Sequence, residues 1–172
     1  AQVYAPLIGR ETNLAQLIEA TRSITRRYQQ DGYLLSYAFL PDQRFEQGLV
    51  RVVLVEGYIK DYQVQGDIGA VSAYVDKLAQ KLQAERPLTR KTFERYTTLM
   101  GRIPGVTLQA QVPPPGTTDG AAHMNIQASR KPFTSSMSMT DDSRGGLQAL
   151  IAGTSNSHTS MGEQVSLSGL FP

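Results

Sequence analysis

Residues 31–41, DGYLLSYAFLP, and 48–57, GLVRVVLVEG, decide the fold, because the chain repeats their layout at 103–113, IPGVTLQAQVP, and 119–129, DGAAHMNIQAS. Gly32 opens an extended run that closes at Pro41, and Gly48 opens a second. Gly105, Pro113 and Gly120 stand at nearly the same intervals about 73 residues later. Helical periodicity precedes each copy. Each therefore reads helix, glycine stop, strand, turn, strand, and a repeated supersecondary unit outweighs any isolated residue as a sign of fold.

Working outward from the first copy, Leu14, Leu17, Ile18, Thr21, Ile24 and Tyr28 recur at helical spacing and put one apolar stripe on a helix. Asn13 followed by Gln16 predicts a capping box at its start. Gly32 predicts a left-handed stop that returns Tyr33 over Tyr28. From Tyr33 to Leu40 the period becomes two, with Leu34, Ser36, Ala38 and Leu40 expected toward the helix and Tyr33, Leu35, Tyr37 and Phe39 on the other face. Pro41 to Gln47 is turn material. The nearly continuous β-branched run Leu49 to Val55 predicts a central strand, and a new strand is expected from Asp61.

The second copy is complete. Val71, Tyr74, Val75, Leu78 and Leu82 mark one helix, and Phe93, Tyr96, Leu99, Met100 and Ile103 another that starts at the N-cap candidate Thr89. Val106 to Val112 and Ala121 to Ala128 alternate as two strands. The unit reads β-α-α-β-β, an α+β arrangement with helices on one face of a small mixed sheet. By the same spacing, the opening strand of the first unit falls before Ala1, so that unit is expected to lack its start.

From Phe133 onward the chain is dense in Ser, Thr and Gly, yet alternation persists. Phe133, Ser135, Met137 and Met139 oppose Thr134, Ser136, Ser138 and Thr140. A turn is expected from Asp141 to Gly146, followed by Leu147, Ala149 and Ile151. Val165 and Leu167 then oppose Ser166 and Ser168. Weak dyad alternation in segments of about ten residues is how outer-membrane barrel strands read, and it favours that reading over a linker.

The chain offers no obvious reaction chemistry. It has no cysteine, which excludes a disulfide framework and thiolate metal sites, and its net charge is only +2. His123 and His158 lie far apart without partners at metal-ligand spacing. The paired acids Asp141 and Asp142 read as turn residues. There is no nucleophile elbow, phosphate loop or dinucleotide fingerprint. No enzyme, cofactor or metal is therefore expected. Arg22, Arg26 and Arg27, with Arg86, Arg90, Lys91 and Arg95, read as solvated helix faces with acids interleaved, and no nucleic acid is expected. No segment near Ala1 reads as a signal peptide, and no apolar stretch approaches the ~20 residues of a spanning helix.

The run ITRRYQQDGYLLSYAFLP through DQRFEQGLVRVVLVEGYIKDYQVQGD, residues 24–67, resembles the POTRA module of the outer-membrane transporters of two-partner secretion, the haemolysin-activator or ShlB type. The resemblance rests on Tyr28, Gly32, Tyr33, Pro41, Gln43, Gly48, Glu56, Gly57, Ile59 and Gly66, in order. Pro87, Leu88, Glu94, Arg95, Pro104, Gly105 and Val106 resemble the following module, and 131–172 resembles the opening of the barrel. Asp141-Asp142 departs from the Asp-Asn usual in the family. The resemblance implies a first POTRA module at 1–60 with its start missing, a second at 61–130, and the first, incomplete barrel strands at 131–172. It implies a Gram-negative outer-membrane location with the modules on the periplasmic side. Their partners would be a secreted exoprotein bearing an N-terminal secretion domain, and the chain's own barrel.

Such a module binds an extended segment through backbone hydrogen bonds and needs no reactive side chain. In the β-α-α-β-β order the strand Val106, Thr107, Leu108, Gln109, Ala110, Gln111 is expected at a sheet edge, which makes it the first candidate for partner binding. Tyr37 and Phe39 are the second. A general barrel-assembly factor is the alternative within the class, and a nucleic-acid-binding α/β module the alternative outside it. Two modules rather than a longer series, together with the Pro41 to Gly57 stretch, argue against the assembly factor.

Overall fold

The computed structural model describes residues 2–45, 48–142 and 146–171. After a 3₁₀ turn at Gln2–Leu7 come α1 (Leu14–Gln30), β1 (Tyr37–Phe39), β2 (Val53–Val55) and β3 (Tyr58–Gln65). A second 3₁₀ turn, Gly69–Val71, leads into α2 (Ser72–Gln83). Then follow α3 (Arg90–Gly101), β4 (Val106–Gln111), β5 (Ala121–Arg130), β6 (Phe133–Asp142), β7 (Gly146–Asn156) and β8 (Gln164–Phe171). The strands form three sheets, with orders β1-β2, β3-β5-β4 and β6-β7-β8. The chain condenses into two compact units. One holds Ala1–Gln63, Lys81–Arg95 and Gln111–Met124; the other holds Val64–Gln80, Tyr96–Ala110 and Asn125–Pro172.

In the first unit the capping and stop signals of α1 are realised, while of its apolar stripe Leu17 and Thr21 are buried and Leu14 and Ile18 stay exposed. The Asn13 side chain accepts from the Gln16 N–H at 2.9 Å, and the Gln16 side chain accepts from the Asn13 N–H at 3.1 Å. This reciprocal cap stabilises the helix start by about 1 kcal/mol. Gly32 stands at φ +90°, and the Tyr33 N–H returns to the Tyr28 carbonyl at 2.9 Å. The two rings meet edge to face with centroids 5.9 Å apart.

The strands of this unit depart from expectation. Tyr33 makes only an isolated bridge to Thr89, Leu34 and Leu35 turn, and β1 shrinks to Tyr37–Phe39. The consecutive residues Leu35 and Ser36 are therefore both buried, which alternation would forbid. Leu49 to Val55 is not a central strand. Only Val53–Val55 pairs, and only with β1 among the described residues. Gln43 ends the ladder with β1, its side-chain amide accepting from the Arg51 N–H at 2.7 Å and donating to the Arg51 carbonyl at 2.8 Å. A side chain thus takes the backbone groups that would continue the pairing with β1. Leu49 and Val50 are left exposed. The next strand starts at Tyr58 rather than Asp61, immediately after the buried Gly57.

In the second unit, Val71, Val75, Leu78 and Ala79 of the α2 region, Met100 and Ile103 at the end of α3, and Ile126 and Ala128 of β5 are buried. From Ala122 onward the alternation along β5 is clean, with Ala122, Met124, Ile126 and Ala128 buried and His123, Asn125, Gln127 and Ser129 exposed. Met124 and Ile126 are fully buried, each contributing roughly 2–3 kcal/mol of apolar burial. The helix cap at Thr89 is present, its hydroxyl accepting from the Thr92 N–H at 3.3 Å.

β6, β7 and β8 form the expected antiparallel meander, with Met137 opposite Ile151 and Gly153 opposite Leu167. That register puts Phe133, Met137, Met139, Leu147, Ile151, Val165 and Leu167 on one face, all exposed. Thr134, Ser136, Ser138, Thr154, Ser166 and Ser168 share the other, where the Thr154 and Ser166 hydroxyls bond at 3.0 Å. Strand β6 extends through Asp142, further than expected. The remainder of the turn assigned to Asp141–Gly146 lies at 143–145, outside the described residues.

A candidate partner-binding sheet edge

The order β3-β5-β4 places β4 at a margin, with β5 on one side and no described strand on the other. This is the position expected for Val106–Gln111. Val106 is buried, Leu108 and Ala110 are half-buried, and Thr107, Gln109 and Gln111 are exposed. Six extended residues present about 20 Å of backbone. Every second residue along that edge points its N–H and C=O outward, a template for an added strand.

The start of β4 is held by a built anchor. The Lys131 N–H donates to the Gly105 carbonyl at 2.7 Å, and the Asn156 N–H to the Pro132 carbonyl at 2.7 Å. The buried Asn156 side chain donates to the Lys131 carbonyl at 3.2 Å and accepts from Gln164 Nε2 at 2.8 Å. Ser157, fully buried at φ +53°, donates its hydroxyl to the Pro104 carbonyl at 2.5 Å, while the Arg130 guanidinium donates to the Ser157 carbonyl at 2.6 Å. The turn between β7 and β8 is thereby fastened to the residues that open β4. Its tip carries Met161, 82% exposed.

Glu163 organises this turn. Its carboxylate accepts from the His158 and Thr159 N–H groups, both at 2.9 Å, and from the Thr159 hydroxyl at 2.5 Å. These bonds, the Thr159 hydroxyl first, hold its pKa down to about 2, from an ordinary 4.5. The turn's contribution to stability is therefore full above pH 4.5 and lost as pH falls toward 2. Protection of the His158 and Thr159 amides, taken against their intrinsic exchange at each pH, is expected to fall across that window in the native chain. In Glu163→Gln it should already be low at pH 7. A flat profile in the native chain would refute the assignment.

The second pair of candidates is placed differently. Tyr37 and Phe39 are half-buried with rings 6.1 Å apart, and the Tyr37 hydroxyl donates to the Pro115 carbonyl at 3.2 Å. Of the remaining family-like residues, Tyr28, Gly32, Glu56, Gly57 and Leu88 are tied together in the first unit, a role the sequence did not reveal. There the Leu88 N–H donates to the Gly57 carbonyl at 2.9 Å, the Arg90 N–H to the Gly32 carbonyl at 2.6 Å, and the Tyr58 N–H to the Gly120 carbonyl at 2.9 Å. Tyr28 bonds Glu56, and burial with that nearby carboxylate raises the phenol's pKa. Gly48 and Gly66 adopt positive φ. Pro41 accepts from Gln43 at 3.3 Å.

Three of the basic residues singled out in the sequence are engaged. Arg26 pairs with Glu19, Arg27 with Asp31 at 2.9 Å, and Arg86 lies 3.8 Å over the Tyr58 ring. His123 bonds Asp61 at 2.5 Å, and His158 stacks on Phe133 with centroids 4.8 Å apart. Among the described residues no cluster of His and acids has the makings of a metal site.

Residues 1–57 match the family model described as the ShlB-type POTRA domain. The heme/hemopexin transporter protein HuxB of Haemophilus influenzae is 26% identical over 174 residues, covering 97% of this chain and 30% of the relative. The chain thus spans about a third of the length of the curated relatives it matches. Among solved structures, CdiB from Escherichia coli superposes with a TM-score of 0.69 at 21% identity, over 98% of this chain and 32% of that one. The N-terminal domain of Omp85 from Thermosynechococcus elongatus reaches 0.57 at 18% identity, over 76% of this chain and 58% of that one. These likenesses identify the fold, and the CdiB match takes in the β6–β8 meander as well.

Proposed function

We propose, for a chain that belongs with the ShlB-type, POTRA-bearing outer-membrane transporters of two-partner secretion, its POTRA part on the periplasmic side, that β4 captures an extended segment of a secreted exoprotein. On this reading residues 1–60 and 61–130 are two POTRA modules and 131–172 open the barrel to which the segment is passed. The partner is the N-terminal secretion domain of the exoprotein, and no catalysis is involved. The observation that carries the proposal is the position of β4 at the sheet margin, with its outer side unpaired among the described residues. Backbone pairing supplies affinity without demanding one cargo sequence, which suits an unfolded client. The anchor supports delivery, because the captured segment starts where the β7–β8 turn is fastened.

Proline scanning at Thr107, Leu108, Gln109, Ala110 and Gln111 tests it. Proline removes one N–H, and successive N–H groups along an edge strand point alternately inward to β5 and outward to solvent. One parity class should lose ladder bonds and unfold the module. The other should stay folded yet weaken capture of the secretion domain at least about tenfold, the worth of one or two backbone bonds. Unchanged capture by every folded variant would sink strand addition at β4.

A further inference from the structure

The other small sheet, β1-β2, also has a margin on β1, and one side chain occupies it. Tyr37 pairs with Val55, Ala38 with Leu54 and Phe39 with Val53. Within a strand the N–H and C=O of one residue point to the same side, and neighbouring residues alternate. The Thr25 hydroxyl accepts from the Ala38 N–H at 3.0 Å and donates to the Ala38 carbonyl at 3.3 Å. Ala38 therefore directs both backbone groups away from β2, toward α1. In a three-residue strand it is the one residue that does so.

The hydroxyl is diverted from its usual use. A helical Ser or Thr commonly bonds back to a carbonyl three or four residues earlier. Thr21 does this to Leu17 at 2.7 Å, and Ser23 to Ala20 at 2.6 Å. Thr25 instead reaches the strand 13 residues on. Only a group that both donates and accepts satisfies Ala38 completely, and a hydroxyl is the smallest such group on a helix face.

We infer that Thr25 closes the outer edge of β1 to strand addition, whereas the outer edge of β4 carries no such side-chain closure among the described residues. The inference rests on the reading of β4 as the capture edge and adds what excludes its counterpart. An added strand would have to displace the hydroxyl from the single outward-facing backbone pair β1 offers.

The test uses the full chain with Thr25→Val, which keeps the shape and removes the hydroxyl, together with Thr25→Ala and Thr25→Ser. Amide exchange at Ala38 should be at least about tenfold faster in the Val and Ala variants and near native in the Ser variant. The Tyr37 and Phe39 amides, directed to β2, should keep their native rates. A capped hexapeptide of alternating Thr and Val serves as the strand probe. It should protect the Ala38 amide in Thr25→Val and Thr25→Ala but not in the native chain. Native exchange at Ala38 in both variants, or no probe protection there in either, overturns the inference. Probe protection of outward β4 amides is read in the same spectra. Its absence, alongside gained protection at Ala38, counts against the β4 reading and leaves the closure by Thr25 standing.

Discussion

Gly105→Val is expected to release the β7–β8 turn and destabilise the protein by about 3 kcal/mol, combining left-handed strain of ~1–2 with overpacking of ~1–3. Gly105 sits at φ +71°, and a Cβ there would stand 2.5 Å from the Asn156 Cβ and 2.6 Å from the Lys131 carbonyl oxygen. Neither neighbour yields easily. Asn156 is buried and bonded through both its carbonyl oxygen and its amide, and the Lys131 oxygen is backbone. Denaturant unfolding should show the loss, and the Lys131 and Asn156 amides should lose protection together. Gly116→Val, at a position with open space around it, is the control and should change stability by less than about 0.5 kcal/mol. A Gly105→Val protein as stable as the native one, with the Lys131 amide still protected, would show that this position accommodates a side chain and overturn the expected strain.

Gly57→Val should cost at least as much in the first unit, for a purely steric reason. Gly57 is buried, and a Cβ would overlap the Leu35 Cβ and carbonyl oxygen and stand 2.7 Å from its carbonyl carbon. The Gly57 N–H also donates to the buried Ser36 hydroxyl at 3.2 Å, and its carbonyl receives the Leu88 N–H. Overpacking at backbone this close costs about 3 kcal/mol, and the corner built from Gly32, Gly57, Leu88 and Arg90 should open with it. Accelerated exchange at Leu88 and Arg90, together with a lowered unfolding midpoint, is the expected signature. Native exchange at Leu88 would mean that the joint tolerates the side chain.

The candidate site divides along the same physical line as the fold. β4 at a margin was legible because the β-α-α-β-β order leaves few arrangements for the last two strands, and its alternation marks the buried side. What blocks the rival edge was not. A threonine in a helix ordinarily bonds its own backbone, and no pattern in the sequence distinguishes Thr25 from Thr21.

Whatever is settled within a few residues could be read from the order of the amino acids. Asn13 and Gln16 cap α1 across one turn, Gly32 stops it, and Tyr33 returns to Tyr28. The dyads of β5 and of β6–β8 sort their faces because side chains alternate along any extended chain. Tertiary structure alone decided the rest, since it rests on groups far apart in the chain competing for the same backbone donors and acceptors. Gln43 took the Arg51 groups and shortened β2, against the propensity of a β-branched run. Gly57 and Gly32 became acceptors for Leu88 and Arg90, and Ser157 and Asn156 fastened a turn to Pro104, Lys131 and Pro132. Hydrophobic pattern names the side of a strand that is buried, whereas the partner of each N–H and C=O is chosen only once the folded chain brings the competitors together.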